Sequence, residues 1–455
     1  MNSVRRLLPA CAAAVLAACG SDSSGTTQPP APAPVATITL SGLPDSAYAG
    51  ENATATATLR DANGNTLTGR TITWTSSDTL AATVGTDGAV AFRGYGPFTI
   101  TATSEGRTAT ANSRAVLARK ADRFAYAIVT ATASAASVAR TTNATGGAVR
   151  ATTNASGDAI VTFERLARAD TAWRETVMLS RSGSLATRCH LNSWGAAANK
   201  RDLEVSVSCY ATDGTKLPGQ FNILVFGNGT LDGRHGFIES TDATATHTPD
   251  GARFFNSSGA GMAITRNSTG SYTVQVNNPR GSGKTENYFV TTIGPAAATC
   301  NLNGWSFGNT SSTACYTAGT VVTDARFTMQ LVEAGRPGKR WAFAWANGPA
   351  AALDQEYTPS ALYQASSNGQ SPMITRTTAN TVTDGIYRVR FPGLGALGSA
   401  AHHVQVSAYN SGANSCFPDA ESTVNAGADL VVAVQCYNRY SGTPANAFFT
   451  ILLIE

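Results

Sequence analysis

Charge is scarce in this chain. Lys, Arg, Asp and Glu make up 14% of its 455 residues, against about a quarter in an average soluble domain. Long solvated helices need charged faces, so the shortage points away from them. With Gly, Thr, Ser, Ala and Asn abundant, the composition suits short strands and turns. The charge present is balanced, 33 basic against 29 acidic side chains, and scattered. A basic stripe for nucleic acid and an acidic tail are both missing. Histidine is scarce too: His190, His235, His247, His402 and His403 form neither HExxH nor an i, i+4 pair, which removes the zinc-peptidase pattern. His190 reads as a surface or half-buried strand position. Gly-x-Ser-x-Gly occurs once, at Gly304-Trp-Ser-Phe-Gly308, in a strand-rich module without the following helix that a serine-hydrolase elbow needs, and there is no CxxC for a zinc knuckle. Gly281-Ser-Gly-Lys-Thr285 looks like a phosphate loop, but Asn278 stands where that motif needs its first Gly, so it reads as a hairpin loop. Carboxylates fall mostly in turns such as Asp213-Gly214 and Asp384-Gly385. A glycosidase pair converging from separate strands stays open. Disorder is excluded for most of the chain, because 42% of residues are hydrophobic.

What is present begins with a targeting signal. Arg5-Arg6 precede an apolar stretch, Leu7 to Ala18, too short to span a bilayer. Leu16-Ala17-Ala18-Cys19 resembles a bacterial lipobox. The resemblance implies a signal peptide over residues 1–18, with Cys19 as the first mature residue and site of lipid attachment. Gly20 after Cys19, by resemblance to proteobacterial sorting, implies the outer membrane. Loss of Arg5 and Arg6 lowers the formal charge from +4 to +2. Residues 19–35 carry the lipidated Cys and a tether, flexible in its Gly/Ser/Thr part and stiffer in its Pro-Ala run.

Residues 36–117 alternate Thr with apolar residues in Ala36-Thr-Ile-Thr-Leu40, Thr71-Ile-Thr-Trp74 and Phe98-Thr-Ile-Thr-Ala102. Turn signals stand between, at Asp61-Ala-Asn-Gly64 and Asp87-Gly88. That is the pattern of half-buried strands in a sandwich. The motifs Thr73-Trp74-Thr-Ser-Ser-Asp78, Ala82-Thr-Val84, Asp87-Gly88-Ala-Val90 and Gly96-Pro-Phe-Thr-Ile-Thr-Ala-Thr103 resemble the group 2 bacterial immunoglobulin-like domain. The resemblance implies a surface spacer or adhesive module and no enzyme. Trp74 reads as a core residue of its strand.

The rest of the chain repeats. Cys-Tyr followed by Phe, twelve residues after the Cys, occurs at Cys209-Tyr210…Phe221, Cys315-Tyr316…Phe327 and Cys436-Tyr437…Phe448. An upstream Cys precedes each, at Cys189, Cys300 and Cys416. Gly157, Gly270 and Gly385 open a matching strand in each copy. Three modules follow, over residues 122–229, 233–335 and 337–455, each of about seven strands in a sandwich or small barrel. In the third, strands are expected near Trp341–Ala346, Leu362–Ala365, Met373–Thr377, Ile386–Phe391, His403–Ala408, Leu430–Gln435 and Ala447–Ile454. Six cysteines allow 15 pairings; the repeat favours Cys189–Cys209, Cys300–Cys315 and Cys416–Cys436, disulfides permitted by export. Because each module has its own staple, separate beads are expected over a closed ring. The modules resemble a repeat type of secreted bacterial proteins, which implies location and no chemistry.

The fold class expected is therefore all-β: an Ig-like sandwich, then three disulfide-stapled antiparallel modules. Residues shared by all copies are framework types. Trp194 and Trp305 follow the first Cys at the fifth position, but Glu421 stands there in the third copy. The candidate binding residues are Trp341, Phe343 and Trp345, which alternate and so share one face; that row suits either stacking on sugar rings or packing in a core. The loops after the second Cys and the segments between the two Cys, which differ between copies, are the other candidates. The functional expectation is a non-enzymatic cell-envelope lipoprotein for adhesion or ligand binding, glycan included. Its partners would be the membrane through its lipid and a glycan or surface protein, with no nucleic acid, metal or cofactor. The alternative is an extracellular polysaccharide hydrolase with unidentified carboxylates.

Overall fold

The computed structural model describes residues 32–116, 122–167, 174–183, 187–281, 284–294, 298–317, 321–378, 382–397, 402–410, 412 and 414–455. Residues 1–18, Cys19 and most of the tether lie outside these. The described chain is all-β, with two one-turn 3₁₀ segments, Ala361–Tyr363 and Gly395–Leu397. No helix of the described residues is long and apolar enough to cross a membrane.

The first unit is a small sandwich. The strands Gly96–Ser104 and Arg107–Val116 pair along their length, and a separate three-stranded sheet holds Ala89–Phe92. Its core is built on Val90, Phe92, Phe98 and Ile100, the apolar half of the Thr alternation. Trp74 packs on that core, yet it also lines an open groove of about 340 Å³ with Arg70 and Asp87. The Asp61 carboxylate accepts the backbone N–H groups of Asn63 and Asn65, which makes its turn a filled hairpin turn.

Each of the three modules is a sandwich of two sheets, an inner and an outer one. In the first, the inner sheet orders Ala136–Asn143, Phe124–Ala131, Gln220–Gly227 and Glu175–Ser182. Its outer sheet orders Val149–Thr153, Ala159–Phe163, Leu203–Ala211 and Thr187–Ala196. The second and third repeat this plan, the third with an added edge strand, Glu356–Tyr357. Cys189 is joined to Cys209, Cys300 to Cys315 and Cys416 to Cys436, each pair directly opposed on neighbouring outer strands. Closing loops of 15 or 20 residues contributes about 3 kcal/mol each. In the second and third modules the repeated Gly is needed for close approach to the second Cys. Gly385 sits at φ 72°, and a Cβ there would lie 2.1 Å from the Cys436 carbonyl oxygen. The Cys436 N–H bonds to the Gly385 carbonyl, as Cys315 does to Gly270.

The modules are not beads. The outer sheet of the first runs into the inner sheet of the second through a parallel bridge, Leu191 to Ile293. The outer sheet of the second runs into the inner sheet of the third through Leu302 to Tyr409. The three inner sheets then face one another around a common axis. Phe221, Ile223 and Val225 point into the first module's own core, while Leu224 and Phe226 point to the axis. There they meet Phe237, Phe289 and Val332 of the second module and Phe343, Leu452 and Ile454 of the third. The expectation of beads failed because a staple was taken as a sign of independence. The inner strands are apolar on both faces, and a lone module would leave one of those faces in water.

Two further sequence readings are corrected. Phe221 and Phe327 occupy the core position, but in the third module that position is Phe449, not Phe448; its loop is one residue longer, and Phe448 falls on the opposite face. The strand Asn414–Val424, which carries Cys416, was missed. It is polar and holds Pro418 at a bulge, as only an edge strand tolerates.

If one body is formed around the axis, unfolding is shared. Phe343 is fully buried there. Phe343→Ala should cost about 3–5 kcal/mol and lower one common calorimetric transition of the three modules; loss confined to the third module's transition would contradict the shared axis.

Candidate functional site

The axis is apolar at one end and polar further along. Thr176 of the first module meets Thr328 of the second at 3.1 Å, and the Gln330 amide donates to both. Thr450 of the third donates to the Tyr288 carbonyl of the second at 3.0 Å. Asn222 of the first donates to the Val404 carbonyl of the third at 3.0 Å, and Gln405 returns a bond to the Asn222 carbonyl at 3.1 Å. Every module thus bonds to both others.

The residue after the first Cys makes the flanking contact at each junction. His190, fully buried and not on the surface, lies 3.2 Å from the Thr299 hydroxyl of the second module. Asn301 donates to the Gly412 and Asn414 carbonyls of the third and accepts from Arg439 at 2.7 Å. Phe417 of the third takes the Arg181 guanidinium of the first over its ring at 4.2 Å. The repeated Tyr residues face away from the module cores, as alternation requires. Tyr210 and Tyr437 are buried beside His190 and Phe417.

The fifth residue after that Cys gives each junction its own chemistry. Trp194 packs on the first module's core cluster, which Ile293 of the second module joins. Glu421 takes Arg140 of the first module and, at 2.8 Å, His402. Trp305 enters an aromatic cluster, 5.6 Å from Trp345, 5.2 Å from Tyr363, 5.3 Å from Tyr409 and 5.6 Å from Tyr288 between ring centres. This second junction is where aromatic surface reaches water.

Its exposed edge is the hairpin between Thr299–Ser306 and Thr310–Tyr316. Three residues, Phe307, Gly308 and Asn309, cross between the strands, the first two with φ of 42° and 76°, and the Asn309 N–H bonds to the Ser306 carbonyl. Such turns favour Asn-Gly, because both residues adopt positive φ. Gly308 is obligatory: a Cβ would lie 2.0 Å from the Asn278 carbonyl. Phe307 is not. A bulky residue held in the left-handed region carries strain that the fold does not require. The residue is 43% exposed, and its ring lies nearly parallel to Tyr363 at 6.4 Å and takes the Arg280 guanidinium over its face at 4.2 Å. Exposed Leu362 continues the patch, accepting from Arg280 through its carbonyl. Behind it the Tyr363 hydroxyl is pushed up by burial, Arg280 opposing and Glu286 adding.

Of the aromatic row expected on one face, the structure divides the members. Phe343 is in the axial core, Trp341 stacks on it at 5.9 Å, and Trp345 reaches the junction cluster. Phe307 and Tyr363 were not singled out from sequence. Phe307 lies in the segment between Cys300 and Cys315, and a Phe-Gly where a hairpin wants Asn-Gly was the available signal. Ser282 and Gly283 of the phosphate-loop look-alike lie outside the described residues. Among the described residues no group of three or more His, Cys, Asp or Glu is placed to hold a metal.

No family model matches the chain, and no curated protein matches it. Among solved structures, the S-layer protein rSbsC(31-844) overlaps 64% of this chain at 13% identity and a TM-score of 0.16; the chain spans 38% of that protein. Surface layer protein SbsC, domains 4-9, overlaps 90% of this chain and 83% of its own length at 12% identity and a TM-score of 0.18. Overlaps of this quality do not establish a shared fold.

Burial holds the His190 imidazole at a pKa of about 3, helped by Arg188 and Arg439. In the unfolded chain it titrates near 6.5. Between those values the unfolded state binds the extra proton, so stability is whole above about pH 6.5 and falls as pH drops. The slope is about 1.4 kcal/mol per pH unit for the group. His190→Asn, the residue found at the matching place in the second module, should remove that share of the acid slope in denaturant titrations at pH 4 to 6; an unchanged slope would show that His190 protonates freely in the fold.

Proposed function

We propose that this chain is a non-enzymatic cell-envelope lipoprotein whose three-module head binds glycan through the aromatic surface at the second junction. The observation that carries the reading is Phe307, a bulky residue held exposed at positive φ beside Tyr363 and Arg280. Strain kept at a surface position is a mark of use. Sugar rings offer apolar C–H faces to such rings, and a guanidinium alongside offers donors to hydroxyls. The lipobox-like Cys19, the tether and the first sandwich would hold this head away from an outer membrane. Cys19→Ala should abolish incorporation of labelled palmitate, and retention of the label would remove the anchor from the reading.

The mature chain should bind envelope or extracellular polysaccharides on a glycan array. Phe307→Asn restores the residue the turn favours, so it should leave the melting temperature equal or higher while reducing binding at least tenfold. Unchanged binding in Phe307→Asn, or no glycan bound by the parent chain, would overturn the proposal.

One observation favours a hydrolase as the second reading. Glu356 and Glu421 both line a groove of about 480 Å³ on the outer sheet of the third module. Each is already engaged. Glu356 pairs with Arg390 through both oxygens, at 2.8 and 2.6 Å. Burial alone would raise the Glu421 carboxyl, but His402 and Arg140 hold it below its ordinary value, the wrong direction for a general acid. Polysaccharide turnover lost in both Glu356→Gln and Glu421→Gln would establish this reading instead.

A further inference from the structure

The third junction lacks the backbone link that closes the other two. At the first, the Gly294 N–H bonds to the Leu191 carbonyl; at the second, the Asn410 N–H bonds to the Leu302 carbonyl, each at 2.7 Å. Leu191 is paired with Ile293 there, and Leu302 with Tyr409. At the third junction the matching places hold Pro418 and Ser182. Among the described residues no such bond joins the Gly183 N–H to the Pro418 carbonyl. Proline and serine fill less space than the pairs they replace. An open pocket of about 130 Å³ stands between the first and third modules, and both residues line it.

Two polar groups of its lining have nothing to bind. The Ser182 hydroxyl and the Asn222 Oδ1 are buried without a hydrogen-bond partner, on residues 7% and 4% exposed. Asn222 donates its amide to the Val404 carbonyl and keeps its oxygen over; the matching Thr328 and Thr450 hydroxyls are engaged. Such atoms cost stability until a partner arrives. The rim is ionic. A bulge in the first module's edge pair puts Arg140 at φ 47° and re-aims its side chain to Glu421. Glu421 meets Arg140 and His402 through Oε2. Burial alone would raise its carboxyl, but those two groups hold it below its ordinary value, so Oε1 is left as an acceptor. Asp419, exposed at the mouth, accepts the Gln435 amide on Oδ2 at 2.7 Å. The pocket thus sets acceptors on Asn222, Glu421 and Asp419 beside donors on Ser182 and Arg140. Hydroxyl groups, which both donate and accept, satisfy that mixture. A metal ion would meet the Arg140 guanidinium already seated on Glu421.

We propose that the pocket at the third junction is a carbohydrate site of its own, taking the hydroxyl-bearing edge of one pyranose sugar. Neighbouring hydroxyls would reach Ser182 and Asn222 inside and Glu421 and Arg140 at the rim. A water needs about 10–15 Å³ of such volume, so the pocket admits a single sugar unit and no chain. The site lies at a different junction from Phe307 and does not rest on that surface, which would take the apolar faces of sugar rings and not their hydroxyl edges.

The test uses the mature chain carrying Phe307→Asn, so that the other surface contributes nothing, with D-glucose, D-galactose and D-mannose as probes in saturation-transfer NMR titrations. At least one sugar should bind in the millimolar range. Adding Ser182→Ile puts the second module's residue into the pocket; the melting temperature should stay equal or rise, and the affinity should fall at least tenfold. Should that chain fail to fold, Asp419→Ala at the exposed mouth should weaken binding severalfold with the fold intact. Binding of none of the three sugars, or equal binding with Ser182→Ile in place, would overturn the proposal. Binding that appears only with added calcium would mark a cation site and overturn it too. Polysaccharide binding that survives Phe307→Asn but is lost with Ser182→Ile would support this pocket and remove the Phe307 surface.

Discussion

The structure depends on one constraint: each inner sheet is buried on both faces. A strand such as Gln220–Gly227 gives Phe221, Ile223 and Val225 to its own module and Leu224 and Phe226 to the axis. An alternating half-buried strand can end at water; this one cannot. The second face has to be covered, and the other two modules are what covers it. From this follow the shared sheets, the bonds that cross the axis, and the burial of residues that a single module would expose.

The polar part of the axis shows how three similar sheets fit without ambiguity. A wholly apolar axis would accept small rotations of one sheet against another. Bonds such as Asn222 to the Val404 carbonyl and Gln330 to Thr176 allow one register. Buried amides and hydroxyls cost stability unless paired, so a slipped register is penalised at several points at once. The seam is at the third junction. There Pro418 stands where Leu191 and Leu302 make their parallel bridges, and Pro brings no N–H to a ladder. Arg140 with Glu421, and Arg181 over Phe417 and Tyr437, hold that junction through side chains.

Much of this was legible in the sequence, and the remainder was hidden for physical reasons. Cysteine spacing gave the pairing because the repeat left few alternatives, and alternation gave most strands of the third module. The closed ring was not legible. A run like Phe448-Phe-Thr-Ile-Leu-Leu-Ile454 reads as a strand, but alternation does not say what lies on its far side. The strand Asn414–Val424 was hidden by its polarity and its proline. Trp341, Phe343 and Trp345 do share a face, yet that face begins in the core and ends at a junction, so one pattern covers two roles. Phe307 was overlooked because a lone Phe-Gly carries no periodicity; its meaning comes from the backbone beneath it.

Closure about the axis also fixes a number. Repeat proteins whose units touch only their neighbours can gain or lose a copy and stay folded. Here each inner sheet meets both others, and Asn222 of the first module is bonded to Val404 of the last. A fourth copy would have no place at the axis, and two would leave a wall open to solvent. The count of three is thus a property of the cross-section, and change in this protein is confined to substitution within copies, as the three junctions with their different chemistries display.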